Sequence, residues 1–132
     1  MLNSENFDYF NPKLELVLSE NSAVITIASL EQTGENFKEY IKYLLSQKCG
    51  LVIHIEPIGE LLDDNDQIDN LSIKYFKKRN YLHGLLDHLR ILEANGELEI
   101  IDTRRSYIGS FFIEGYSIIV WKPLSLSKQR SK

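Results

Sequence analysis

Apolar and polar positions recur with different periods along this chain, and the changes of period mark its elements. In KLELVLS (13–19), Leu14, Leu16 and Leu18 share one face, and Lys13, Glu15 and Ser19 share the other with Val17. A period of two predicts a half-buried strand. Glu20, Asn21 and Ser22 follow as turn residues, and AVITIA (23–28), β-branched and nearly all apolar, predicts a more central strand paired with the first in a hairpin. The period then becomes helical. Phe37, Tyr40, Ile41, Leu44 and Leu45 recur at spacings of three and four up to about Lys48, with Ser29 or Thr33 as N-terminal caps and Gly50 as the C-cap. LVIHI (51–55) is a buried strand, and strand, helix and strand in this order predict a right-handed parallel crossover.

Beyond Pro57 and Gly59 lies an acidic, turn-rich loop, GELLDDNDQIDN (59–70). Residues 71–79 fit a strand or the first turns of a helix. From Leu82 a second stripe (Leu82, Leu85, Leu89 and Leu92, with Leu86 beside it) predicts a helix that Asn95 and Gly96 end, with Gly84 a weak point inside it. LEII (98–101) is a strand, residues 102–109 turn the chain, and SFFIEGYSIIVW (110–121) is a long strand with a bulge at Gly115. The first twelve residues form a polar arm carrying Phe7, Tyr9 and Phe10. The expected fold class is α+β: a single domain over 1–124, with about five strands in a mixed sheet packed against two or three helices, followed by a disordered basic tail at 125–132. The sheet would hold an N-terminal hairpin, one βαβ crossover and a C-terminal hairpin.

Composition narrows the class. The 132 residues are 43% hydrophobic and 26% charged, enough for a core and too apolar for a disordered segment. No apolar stretch approaches the roughly 20 residues of a membrane span. The N-terminus has neither the basic nor the apolar region of a secretory signal. The expectation is a cytoplasmic protein without a membrane partner. Cys49, the one cysteine, excludes an internal disulfide or a cysteine-based zinc cluster. Its place at a helix C-terminus disfavours a thiolate.

Charge divides the chain more sharply. Residues 1–72 hold 13 acidic and 4 basic side chains, net −9; residues 73–132 hold 6 and 11, net +5. Such asymmetry bears on partners rather than on fold. Glu35, Glu39, Glu60, Asp63, Asp64, Asp66 and Asp69 make up a candidate protein-binding face for a partner with a basic surface. Lys74, Lys77, Lys78 and Arg79, interleaved with Tyr75 and Phe76, and then Arg104, Arg105 and Tyr107, make up a candidate nucleic-acid surface, in which cations meet phosphates and rings stack on bases.

Bond-making chemistry has thin support. The spacing of DDNDQIDN (63–70) fails the EF-hand pattern at Ile68 and Asp69. Phosphate-cradling glycine motifs and the G-x-S-x-G elbow are absent, so neither metal nor cofactor is expected. Among the histidines, His54 reads as a core residue. His83 and Asp87, four apart on a helix, with His88 beside them, are the fallback catalytic set. Residues 81–121, a leucine-rich helix ending in Asn-Gly and followed by a hairpin carrying Arg104 and Arg105, resemble the last helix and wing of a winged-helix domain. That resemblance implies a nucleic-acid-binding regulator with a winged-helix-like C-terminal half. The leading expectation is instead a small non-enzymatic regulatory protein, an inhibitor, immunity-type or adaptor module that binds another protein through its acidic face. An exposed edge at 110–121 would allow a homodimer.

Overall fold

Short β-branched runs make the first two strands, β1 (Ala23–Ile27) and β2 (Leu51–Glu56). They pair in parallel, Ala23 opposite Leu51 and Ile27 opposite Ile55, with helix α1 (Lys38–Gln47) between them in the chain. Two further helices follow, α2 (Gln67–Arg79) and α3 (Leu85–Ala94), then the strands β3 (Leu98–Gly109) and β4 (Glu114–Pro123). This computed structural model describes residues 6–12, 16–109 and 114–124. Within them the fold is a single α+β domain with a mixed four-stranded sheet in the order β1-β2-β4-β3, the last two pairings antiparallel.

The hydrophobic pattern overcounts the strands by one. Residues 13–15 lie outside the described residues, and 16–19 form no strand, so the N-terminal hairpin is absent among the described residues. The Leu16 carbonyl accepts from the Tyr43 hydroxyl at 2.6 Å, and the Leu18 N–H donates to Gln47 Oε1 at 2.8 Å. Leu16 and Leu18 therefore dock on α1 instead of pairing with β1. Residues 102–109 do not turn; they continue β3, whose register shift between Ile100 and Asp102 absorbs one extra residue. The edge expected at 110–121 is also corrected. β4 runs between β2 and β3, and the sheet's edges are β1 and β3. Residues 71–79 are helical. The next helix starts at Leu85 rather than Leu82, because Gly84 takes a left-handed φ of 84° and serves as its N-cap. The tail at 125–132 lies outside the described residues.

One face of the sheet meets the helices. Val52, Ile119 and Trp121 are buried against Phe37, Ile41 and Leu44 of the α1 segment and Leu85, Leu86 and Leu89 of α3. α3 packs on β3 and α2 on β4. On the opposite face the strands present Ile25, Ile27, Ile53, Ile55, Ile118 and Val120, none of them fully buried.

A polar chain runs through this core. The Trp121 indole N–H donates to His54 Nε2 at 3.0 Å, which places the ring proton on Nδ1, 2.8 Å from Thr26 Oγ1. The Thr26 hydroxyl in turn serves the Glu56 carboxylate. Glu56 Oε2 accepts from the N–H of Ser29 at 3.0 Å, and Oε1 accepts from Leu30 and Glu31 at 2.9 and 3.2 Å. All four side chains are buried, and each satisfies the next, as buried polar groups must. Burial raises the Glu56 carboxyl above its usual range against the pull of these donors.

Two predictions follow from these contacts. A Cβ on Gly50 would lie 2.5 Å from the Glu20 carbonyl oxygen, while the Gly50 N–H donates to Ser22 at 2.9 Å. This glycine therefore serves close backbone approach, and Lys48 at φ 57° caps α1 in its place. Gly50→Ala should lower the unfolding free energy by about 1–3 kcal/mol, read from the urea midpoint. The second prediction concerns His54, whose pKa burial pushes from 6.5 down to about 3. The unfolded chain thus binds a proton that the native state refuses. Stability is full above pH 6.5 and falls by about 1.4 kcal/mol per pH unit as the pH drops toward 3. Glu56 acts in the opposite sense, its native carboxyl taking up a proton at higher pH than the unfolded one. Comparison of wild type with His54→Gln isolates the histidine: between pH 7.5 and 5.5 the variant should lack about 1–2 kcal/mol of the wild-type loss in urea unfolding.

Candidate functional site

Two short backbone bonds bring the start of α1 beside the start of α3. The Leu82 N–H donates to the Glu31 carbonyl at 2.9 Å, and the His83 N–H donates to the Gly34 carbonyl at 3.0 Å. Gly34 makes the bend at φ 62°, a conformation that costs glycine little. Between the two segments opens a cleft of about 700 Å³, within the usual size range of ligand sites. Glu35, Lys38 and Glu39 stand on one wall; His83, Asp87, His88 and Ile91 stand on the other, with Phe10 and Phe37 contributing rings.

The α3 wall is fixed by a carboxylate from elsewhere in the chain. Gly84 has no side chain to cap α3, and Glu60 Oε2 fills the role, accepting from Leu86 N–H at 2.8 Å and Asp87 N–H at 3.3 Å. His83 Nε2 lies 3.4 Å from Glu35 Oε2, with both side chains exposed. The His88 ring packs against Phe37 with centroids 5.6 Å apart. Burial, and then Lys38, push its pKa below the ordinary histidine value, against an opposing pull from Glu97.

The two candidate sets fare differently. Of the acidic residues, Glu35 and Glu39 reach the cleft, while most of the others serve the chain itself. Asp66 is the N-cap of α2, its Oδ1 accepting from the N–H groups of Ile68 and Asp69 at 3.0 Å each. Asp63 Oδ1 accepts from Asn65 N–H at 2.9 Å. Asp64 is exposed. Asp69 is buried in a two-pronged bond with Arg105, at 2.8 and 2.9 Å, and also accepts from Asp63 N–H at 2.8 Å. Burial opposes its charge, but the Asp63 N–H and the Arg105 guanidinium outweigh that and hold its carboxyl below the usual range.

Arg105 is thereby tied to the acidic segment, and Arg104 pairs with Asp102 at 2.9 Å. Lys74, Lys77, Lys78 and Arg79 remain exposed on α2, with Arg79 lying 5.4 Å from the Tyr75 ring centroid. The last three sit in the final turn, where they complement the helix dipole. The Tyr107 side chain lies outside the described residues.

The fallback catalytic residues His83, Asp87 and His88 all line the cleft. Their contacts differ from the expected His83–Asp87 pair: His83 meets Glu35, and Asp87 lies 3.8 Å from Arg90. Among the described residues no group of three or more His, Cys, Asp or Glu side chains could hold a metal ion, and no helix is long and apolar enough to cross a membrane. Cys49 is buried, and burial raises its thiol pKa.

No protein-family model, curated protein or solved structure matches this chain.

Lys38 and Ile91 carry no signal in the sequence, and Phe37 and Phe10 read there only as part of a helical stripe and of the N-terminal arm. Glu35 and Glu39 on one wall and His83, Asp87 and His88 on the other stand out in the sequence as separate sets; about fifty residues separate them, and the backbone bonds at Leu82 and His83 bring them together. Because Asp66 works as a cap, Asp66→Ala should cost about 1 kcal/mol in urea unfolding while leaving the cleft intact.

Proposed function

We propose that this protein is a small non-enzymatic regulatory module that acts by protein–protein binding, of the inhibitor, immunity-type or adaptor class, with its cleft receiving basic side chains of the partner. The observation that carries this reading is the meeting of Glu35, Glu39 and Asp87 around one opening that also holds Phe10 and Phe37. Three carboxylates against the Lys38 ammonium and the Arg90 guanidinium beside Asp87 leave the opening with a negative balance that attracts a cation. The rings and Ile91 offer apolar surface to the stem of an arginine or lysine, and an aromatic face attracts its charged head. The Glu35–His83 contact is an exposed pair of small worth, so an incoming guanidinium displaces it at little cost.

A second reading, acid–base catalysis, draws on the presence of His83, Asp87 and His88 in the same cleft. Against it stand the contacts themselves, which give neither imidazole an Asp87 partner. Among the described residues, the nucleic-acid reading keeps the exposed cations of α2, since Asp102 and Asp69 engage Arg104 and Arg105.

Fluorescence anisotropy with a short arginine-rich peptide tests the leading reading. Wild type should bind it, more weakly as salt rises, and Glu35→Lys combined with Glu39→Lys should weaken binding by at least about tenfold. His88→Ala should leave it within about threefold, as expected of an energetically near-neutral neighbour. Equal affinity of the double variant and wild type would refute the assignment. Tight binding of duplex DNA, lost on replacing Lys77 and Lys78, would favour the nucleic-acid reading instead.

A further inference from the structure

We propose that the open face of the sheet is a self-association surface that binds a second copy of this chain. The strand register lays the face out as a grid. Ile25, Ile53 and Val120 form one row, and Ile27, Ile55 and Ile118 the next. Every side chain of those two rows on β1, β2 and β4 is aliphatic. Ile25 and Ile27 are 55% and 64% exposed, although they belong to a strand whose other face is built into the core.

Contiguous apolar patches of this kind on soluble proteins mark interaction sites. Three strands at about 4.8 Å and three rows at about 6.7 Å, the third formed by Ala23, Leu51 and the stem of Lys122, give a footprint of about 14 by 20 Å. Two such faces with their rims bury on the order of 1,000 Å² in total, the lower limit for a specific interface.

The border says which partner fits. On the β3 side the same face ends in Glu99, Asp102 and Arg104, with Lys122 beside them on β4. Lys122 lies 3.6 Å from Glu99, and Arg104 lies 2.9 Å from Asp102. Among the described residues, two acids and two bases, already paired, leave the β3 side of this border without net charge. It offers no attraction to nucleic acid, to an anionic membrane or to a strongly basic protein. An apolar centre with a neutral border is complementary to itself, and a twofold axis through the face sets aliphatic rows against aliphatic rows, as an isologous dimer requires. The cleft lies on the helical side, so this surface stands apart from the reading proposed for it.

Sedimentation velocity across a concentration series tests the assignment. Wild type should move from monomer to dimer in the micromolar range, with a dissociation constant that changes little between low and high salt. Ile25→Lys combined with Ile27→Lys alters only exposed positions. It should keep the wild-type circular dichroism and raise the dissociation constant by about a hundredfold. A wild type that stays monomeric at a few hundred micromolar, a dimer unaffected by the double lysine variant, or a dimer that salt dissolves would each overturn the proposal. So would a monomer whose isoleucine face is covered instead by a different protein.

Discussion

The buried carboxylate of Glu56 is the constraint on which the rest of this fold depends. A charge-bearing group in an apolar interior is tolerated only when its oxygens are served, and here the service determines geometry. Three successive N–H groups, of Ser29, Leu30 and Glu31, converge on it. They do so because Ala28 turns the chain with a φ of 50° directly after β1. That turn sets where the segment leading to α1 begins, and so where Glu35 and Glu39 stand. On its other side Glu56 is joined through Thr26 and His54 to Trp121. One side chain thus fixes β1, β2, β4 and the entrance to the cleft. A hydrophobic residue in its place would leave three backbone donors without acceptors, a larger loss than that of an ordinary core contact.

Charge in the sequence and charge on the surface are different quantities in this molecule. The first half of the chain carries most of the acid, yet Asp66 and Glu60 are spent on helix N-termini and Asp69 on Arg105. Arg104 and Arg105 of the second half are similarly engaged. Opposite charges from the two halves are joined where the fold brings them together, most tightly at Asp69 and Arg105, 36 residues apart. The residual field is concentrated where the pairing is loosest, at the cleft rim and along the last turn of α2.

The helical stripes were legible because α1 and α3 each bury one face, which imposes a period of 3.6 on the sequence. β2 was legible as an apolar run. The misreadings have physical reasons. Leu16 and Leu18 alternate as strand residues do, but what they satisfy is a helix flank, and period two does not distinguish the two surroundings. The second half of β3 reads as a turn because Asp102, Thr103, Arg104 and Arg105 are polar on both faces, one face being exposed and the other answered by Asp69. Gly84 sits within a leucine stripe that begins before the helix does. The cleft was half visible: Glu35 and Glu39 stand out as charges, while its assembly with His83, Asp87 and His88 depends on tertiary bonds made by backbone atoms, which carry no residue signature.

The hydrogen bond between Trp121 and His54 spans 67 positions of the chain, and this has a kinetic consequence. β3 and β4 are neighbours in sequence and can zip together locally, whereas seating β4 against β2 closes a loop that contains two whole helices. Loop closure of that length is entropically costly, and topologies rich in such distant pairings fold slowly. Among the strand pairings of this sheet, the one that seats the indole against the imidazole therefore closes the longest loop and carries the largest entropic cost.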